Sequence, residues 1–274
     1  MPASPVNKKH VPRAKKSLGQ HFLRREEICD RIAALLLPQA EDRVLEIGSG
    51  PGALTRALEA APHACLLLLE KDRHWAAERQ RQAAPRTQAV LTDALRFDWR
   101  RISPERPWKV IGNLPYNVAS PLIWDIVSRA EGLKRAVFMV QKEVGQRLAA
   151  APGNGHYGAL SVWVQSYARP RLEFVVGPGA FSPPPKVDSA VLSFEPLPPE
   201  ARPAHPKALA RLLRICFQQR RKQLGGIFRR AGLPQMERAL DQAGLAPSLR
   251  PEALSTDDFQ RLSSFLPLNL DNPR

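Results

Sequence analysis

The chain has 274 residues, enough to bury a full core and to form two domains, and its 41 Lys and Arg outweigh 26 Asp and Glu to give a formal net charge of +15. That charge suits a polyanionic partner, although an arginine-rich surface can also serve solubility alone. The cysteines Cys29, Cys65 and Cys216 are isolated and form no metal motif, and no apolar run is long enough to span a bilayer or act as a signal segment. A reducing cytoplasmic setting, with no metal and no membrane, is expected.

In chain order, Lys8, Lys9, Arg13, Lys15, Lys16, Arg24 and Arg25 all precede the first acid, Glu26. Residues 1–14 read as a flexible basic arm. Glu26 to Leu37 is amphipathic, with Ile28, Ile32, Leu35 and Leu36 on one side and Pro38 as the stop. Strands are expected at Val44 to Ile47, Leu66 to Leu69, Ala89 to Leu91, Val110 to Ile111 and Ala136 to Val140, alternating with helical stretches as a parallel α/β sheet requires. Leu172 to Val176 and Ala190 to Phe194 follow with no helix between them, so the sheet should finish with an antiparallel pair. Prolines from Pro196 to Pro206 mark a boundary, dividing a domain over 15–199 from a small helical one over 200–268 and a tail at 269–274. Leu209, Leu212, Leu213, Cys216 and Phe217 have helical spacing, and further helices are expected at Met236 to Ala243 and Asp257 to Phe265.

Three features of this frame point to a ligand. The run Arg43 to Ile47 is followed by Gly48-Ser49-Gly50-Pro51-Gly52 and a helix starting near Ala53, and a strand, glycine loop and helix in that order let backbone N–H groups approach a nucleotide. Glu70 and Asp93 each end a later strand, where open α/β sheets bind ligands. Glu70, about 20 residues beyond the glycines, suits two ribose hydroxyls, and Asp93 the adenine. Neither a dinucleotide fingerprint nor a phosphate loop is present, so a cofactor with an adenosine and no phosphate, S-adenosylmethionine, fits better. Either acid alone also suits a solvated loop; the ordered set argues for a site.

Asn113-Leu114-Pro115-Tyr116 then closes the strand at Val110 and Ile111. The Asn113 side-chain oxygen and the Leu114 carbonyl can each accept a hydrogen of an exocyclic amine, aiming its lone pair at an electrophile, while Tyr116 offers a flat surface and Pro115 stiffens the turn. The same residues are also common in ordinary strand-to-loop turns.

Lys16 to Leu23, Leu45 to Thr55, Asn113 to Tyr116, Gln141-Lys142-Glu143-Val144 and Phe181 to Ser189 together resemble, in order, the ribosomal RNA adenine dimethyltransferases, and most closely their bacterial small-subunit branch. The resemblance implies a seven-stranded class I S-adenosylmethionine-dependent methyltransferase fold, Rossmann-like, with a small C-terminal helical domain. It implies cofactor contacts from His21, Leu23, Gly48, Glu70, Asp93 and Asn113, and catalytic roles for Asn113, Leu114, Tyr116 and Phe181, with Tyr116 and Phe181 sandwiching a flipped adenine. The proline-rich loop around Phe181 argues against that ring being ordinary core. The implied reaction gives dimethyladenine at two adjacent adenines near the 3′ end of small-subunit ribosomal RNA, in a pre-ribosomal particle and by a monomer.

His21 stands where the family usually has Asn, and Ser49 where it usually has Pro. Ser49 also resembles the macrolide-resistance methyltransferases of the large subunit. Arg220-Arg221-Lys222-Gln223-Leu224 favours the small-subunit branch, although Gly225-Gly226 is less typical after it. A DNA adenine methyltransferase and a non-catalytic RNA-binding assembly factor are the competing readings; turnover on duplex DNA, or RNA binding without turnover, separates them.

Overall fold

The computed structural model describes residues 20–266, so the basic arm, the segment Lys16 to Gly19 and the tail lie outside the described residues. Phe22–Leu23 (β1) leads into helix α1, Glu26–Leu35. The helix ends two residues earlier than expected because Pro38 disfavours helical backbone before it, and Leu37 turns out of the helix at φ +51. There follow Arg43–Ile47 (β2), Ala53–Ala60 (α2), Cys65–Glu70 (β3), Arg73–Gln82 (α3), Thr87–Leu91 (β4), Trp108–Asn113 (β5), Ala119–Arg129 (α4) and Leu133–Gln141 (β6). Lys142–Leu148 (α5) and Ala159–Gln165 (α6) precede Ala168–Val176 (β7), Phe181–Ser182 (β8) and Ser189–Pro196 (β9). Beyond the proline-rich stretch come Pro206–Gln218 (α7), Leu224–Arg230 (α8), Gln235–Gln242 (α9) and Thr256–Ser263 (α10).

Seven strands form one sheet in the order β4-β3-β2-β5-β6-β9-β7, with β9 antiparallel to both its neighbours and the strands from β4 to β6 parallel. The chain moves outward from β2 through β3 to β4, then returns to the other side of β2 with β5. That reversal opens a crevice at the carboxyl ends of β2 and β5. β7 begins four residues before the expected Leu172: Arg169, Pro170 and Arg171 hide the strand signal, yet an edge strand tolerates both charge and proline.

Alternation along the strands sorts the core into two faces. Val44, Leu66, Leu68, Ile111, Val137 and Met139 pack with α1 and α2, while Leu45, Leu69, Val110, Ala136 and Phe138 face α4 and α6. The second cluster continues without a break into the C-terminal helices through Leu209, Leu212, Leu213 and Cys216, all buried. Gly225 lets α8 approach the 247 loop, because a Cβ there would come within 3.1 Å of the Pro247 ring, and its N–H donates to the Pro247 carbonyl at 3.0 Å. No helix among the described residues is long and apolar enough to cross a membrane.

Candidate active site

A cleft lies at the switch point, lined by Gly48, Glu70, Asp93, Asn113 and Tyr116 among others. Its floor depends on glycines. A Cβ on Gly112 would sit 2.8 Å from the Ile47 carbonyl oxygen, so only glycine lets β5 run this close to β2. Gly48, Gly50 and Gly52 turn the loop with φ of +75, +47 and +83, values L side chains rarely adopt.

Glu70 ends β3 with only 5% of its surface exposed. Its two carboxylate oxygens accept N–H bonds from Gly50 and Asp72, each at 2.8 Å, which tie the acid to the glycine loop and leave further lone pairs for a ligand. Burial raises the Glu70 pKa, and those N–H donors offset part of the rise. Asp93 accepts the Leu95 N–H at 3.1 Å and pairs with Lys71 at 2.8 Å. Burial pushes its carboxyl up, but Lys71 and the N–H outweigh that and hold it below the usual aspartate value.

The separated sequence motifs meet at the opposite rim. Asn113 Nδ2 donates to the His21 carbonyl at 2.9 Å, so the amide oxygen is the atom of that side chain left for another partner. The His21 ring stacks on Tyr116, with centroids 5.5 Å apart and planes 26° from parallel, and its Nδ1 lies 2.9 Å from the Pro183 carbonyl. Tyr116 Oη shares a 2.7 Å hydrogen bond with Ser189 Oγ, and Lys142 at the start of α5 pairs with Asp188 at 3.2 Å. β1 pairs with β8 so that Leu23 faces Phe181. Leu114 is 1% exposed; its N–H bonds the Met139 carbonyl at 3.0 Å and anchors the turn to β6.

Two expected contributors are not brought to the cleft by their side chains. Phe181 is 5% exposed and packs in the α1/α2 apolar cluster, so the two-sided aromatic clamp with Tyr116 is not formed here. Its pairing with β1 explains this: a strand residue in register with Leu23 turns its ring into the same core. Leu23, 6% exposed, lines a smaller recess beside the cleft. In the basic stretch, Arg220 is engaged by Glu252 at 2.7 Å and by the carbonyls of Gly155 and Asn154, whereas Arg221 and Lys222 are exposed. Sequence reasoning gave no role to Gly112, Lys71 or Ser189. A glycine ending a buried strand was the available sign for Gly112; pairings of Lys71 and Ser189 depend on the fold.

A mostly parallel seven-stranded sheet with one inserted antiparallel strand, and a cleft lined by acids and glycines at its switch point, define a class I methyltransferase fold. Comparison with known proteins agrees. The family model described as ribosomal RNA adenine dimethylase matches residues 11–267, and the chain belongs to that family. A Nitratidesulfovibrio vulgaris protein named ribosomal RNA small subunit methyltransferase A is 57% identical over 251 residues, covering 90% of this chain and 94% of its own. One of the same name from Pseudomonas putida is 42% identical, covering 95% and 98%. A solved dimethyladenosine transferase from Plasmodium falciparum matches with TM-score 0.73 at 25% identity, over 88% of this chain and 96% of that one. The 23S rRNA methyltransferase ErmE gives 0.67 at 25% identity, over 89% and 99%. The resemblance and the fold expected from the sequence both hold.

Proposed function

We propose that the cleft binds S-adenosylmethionine and one adenine of small-subunit ribosomal RNA, and that the chain dimethylates N6 of two adjacent adenines near the RNA 3′ end. The orientation of Asn113 carries this reading: with its NH2 group held by the His21 carbonyl, its oxygen is left to accept a hydrogen of the target amine. Relatives bearing the small-subunit name support the choice of RNA. The residues present fit the adenosine end of the cofactor, with Glu70 lone pairs for the ribose hydroxyls and Asp93 beside the base. When bound, S-adenosylmethionine supplies a methyl group on a positively charged sulfur.

Asn113 Oδ1 and the Leu114 carbonyl each accept one N6 hydrogen, which draws the nitrogen lone pair out of the ring and points it along the line of transfer. A cofactor held by Glu70, Asp93 and Asn113 would supply the methyl group to that lone pair, the electron pair of its bond to sulfur remaining on sulfur. The N–H of the resulting cation is acidic enough to lose its proton to water, so the side chains need orient and not ionise. After one transfer a single N–H remains, and either acceptor can hold it for the second. Tyr116 supplies one stacking face, fixed by Ser189 and backed by His21. Phe181 joins it only if the 181–189 loop moves.

The helical region over 200–268, with Arg221 and Lys222 exposed, orients the RNA in a pre-ribosomal particle; the chain works as a monomer in the cytoplasm. Small-subunit particles lacking the modification, incubated with the protein and S-adenosylmethionine, should yield dimethyladenine when their RNA is digested and weighed by mass spectrometry. Monomethyladenine alone at completion, or modification confined to large-subunit RNA, overturns the proposal.

A further inference from the structure

Helix α3 is polar over most of its length, yet it buries Trp75 and Arg79, 6% and 8% exposed and one helical turn apart. Both act on the far side of the cleft from Asn113. A Cβ on Gly52 would lie 2.1 Å from Arg79 Nη1, so that side chain packs directly on the glycine loop, and its Nη2 donates to Gln82 at 2.8 Å. The Trp75 ring instead meets Phe22 edge-on, with centroids 5.6 Å apart and planes 74° from parallel, a favourable arrangement for two aromatic rings. Phe22 also lies against Gly50, where a Cβ would come within 3.0 Å of its ring. The base of α3 is fixed as well, because the N–H groups of its N-cap Asp72 and of Gly50 both donate to Glu70. Phe22 is thus held by a helix and a loop that share one buried carboxylate.

Phe22 bears on the chemistry through its chain neighbour. The His21 carbonyl accepts a hydrogen of Asn113 Nδ2 at 2.9 Å, and that bond decides which end of the amide is left for the target amine. The oxygen and NH2 ends of an amide are alike in size, so shape alone does not keep the oxygen turned outward. The backbone around His21 has few ties of its own: β1 pairs with β8 over two residues, and the Arg24 N–H donates to the Ala180 carbonyl at 2.9 Å. Those bonds lead to the segment between β7 and β9, not to the glycine loop. Along β1 the side chains alternate, Leu23 anchoring in the α1/α2 core and Phe22 reaching Gly50 and Trp75. Without the Trp75 ring, Phe22 loses one of its two supports and the His21 carbonyl is free to drift from Asn113. A misplacement of about 1 Å caused far from the chemistry can cost on the order of a hundredfold in rate.

We infer that Trp75 is a positioning residue for methyl transfer, holding Phe22 so that the His21 carbonyl keeps the Asn113 oxygen turned to the target amine. This rests on the reading of Asn113 above. Single-turnover transfer to small-subunit particles lacking the modification, at saturating S-adenosylmethionine, is measured for the unsubstituted chain, Trp75→Ala, Asn113→Ala and the double variant. Trp75→Ala should slow transfer about tenfold with RNA affinity unchanged, and slow it no further in a chain already carrying Asn113→Ala, because the two act through one group. Trp75→Phe, which keeps a ring against Phe22, should retain most of the rate. A tenfold loss in both backgrounds would make Trp75 a support for the fold alone, and no loss from Trp75→Ala would make it idle; either result overturns the inference and leaves the Asn113 reading intact. Should Trp75→Ala melt below the assay temperature, Trp75→Leu carries the same test, with apolar bulk kept and the ring removed. Near-normal transfer by Asn113→Ala alone would remove the Asn113 reading, and this inference with it.

Discussion

At the amino ends of β2 and β5, Asp42 is 3% exposed and bound on several sides: Lys109 lies 2.6 Å away, Lys134 3.6 Å, and the Gln39 N–H donates at 2.8 Å. At the carboxyl ends of the same sheet Glu70 is almost as deeply buried, yet it is held by the backbone N–H groups of Gly50 and Asp72, with no side-chain cation paired to it among the described residues. The contrast separates two uses of a buried carboxylate. A cation closes the site electrostatically, and the pair then works for the fold. Backbone donors fix the carboxylate's position but leave its charge and part of its acceptor capacity for a ligand.

The largest effect expected from breaking this contrast is on stability. Lys109→Met leaves Asp42 buried without its main partner and should cost about 3 kcal/mol in urea unfolding, with cofactor affinity of the folded protein unchanged. Asp42 also sets a pH signature. Although burial pushes its carboxyl up, Lys109 and the Gln39 N–H pull it below the usual value. A depressed carboxyl stabilises the fold above its unfolded value, ~3.9, and that stability is lost as pH falls through the folded value. Unfolding curves across that window should show the loss in the unsubstituted chain and a flatter profile in Lys109→Met; parallel profiles would assign Asp42 no such role.

A smaller change is expected at the other end, on rate and not on folding. Asn113→Ala removes the amide that the His21 carbonyl orients, and single-turnover methyl transfer should fall by about a hundredfold while RNA affinity stays near that of the unsubstituted chain. Near-normal turnover would remove Asn113 from the chemistry.

What the sequence made legible follows from the range of the forces involved. The apolar run Leu66 to Leu69 and the glycine loop announce themselves locally, because a strand buried on both faces must be apolar throughout and a loop with three left-handed residues must use glycine. Glu70, Asp93 and Asn113 were legible as strand ends, and the fold gathers them at one crevice. Phe181 was misplaced because its environment is set by β1, far away in sequence, whose pairing turns the ring inward. Beyond the proline boundary, α7 packs Leu209 and Leu212 into the cluster that covers the sheet, a contact that no local pattern carries.

Glu70 is the residue proposed to receive the ribose hydroxyls of the cofactor, and its acceptor capacity is the property to measure. Calorimetric titration of S-adenosylmethionine into Glu70→Ala, with a thermal melt to show that the variant is folded, measures this directly. Removing the carboxylate should weaken binding by about 2 kcal/mol, roughly thirtyfold. Unchanged affinity in a folded variant would contradict the account.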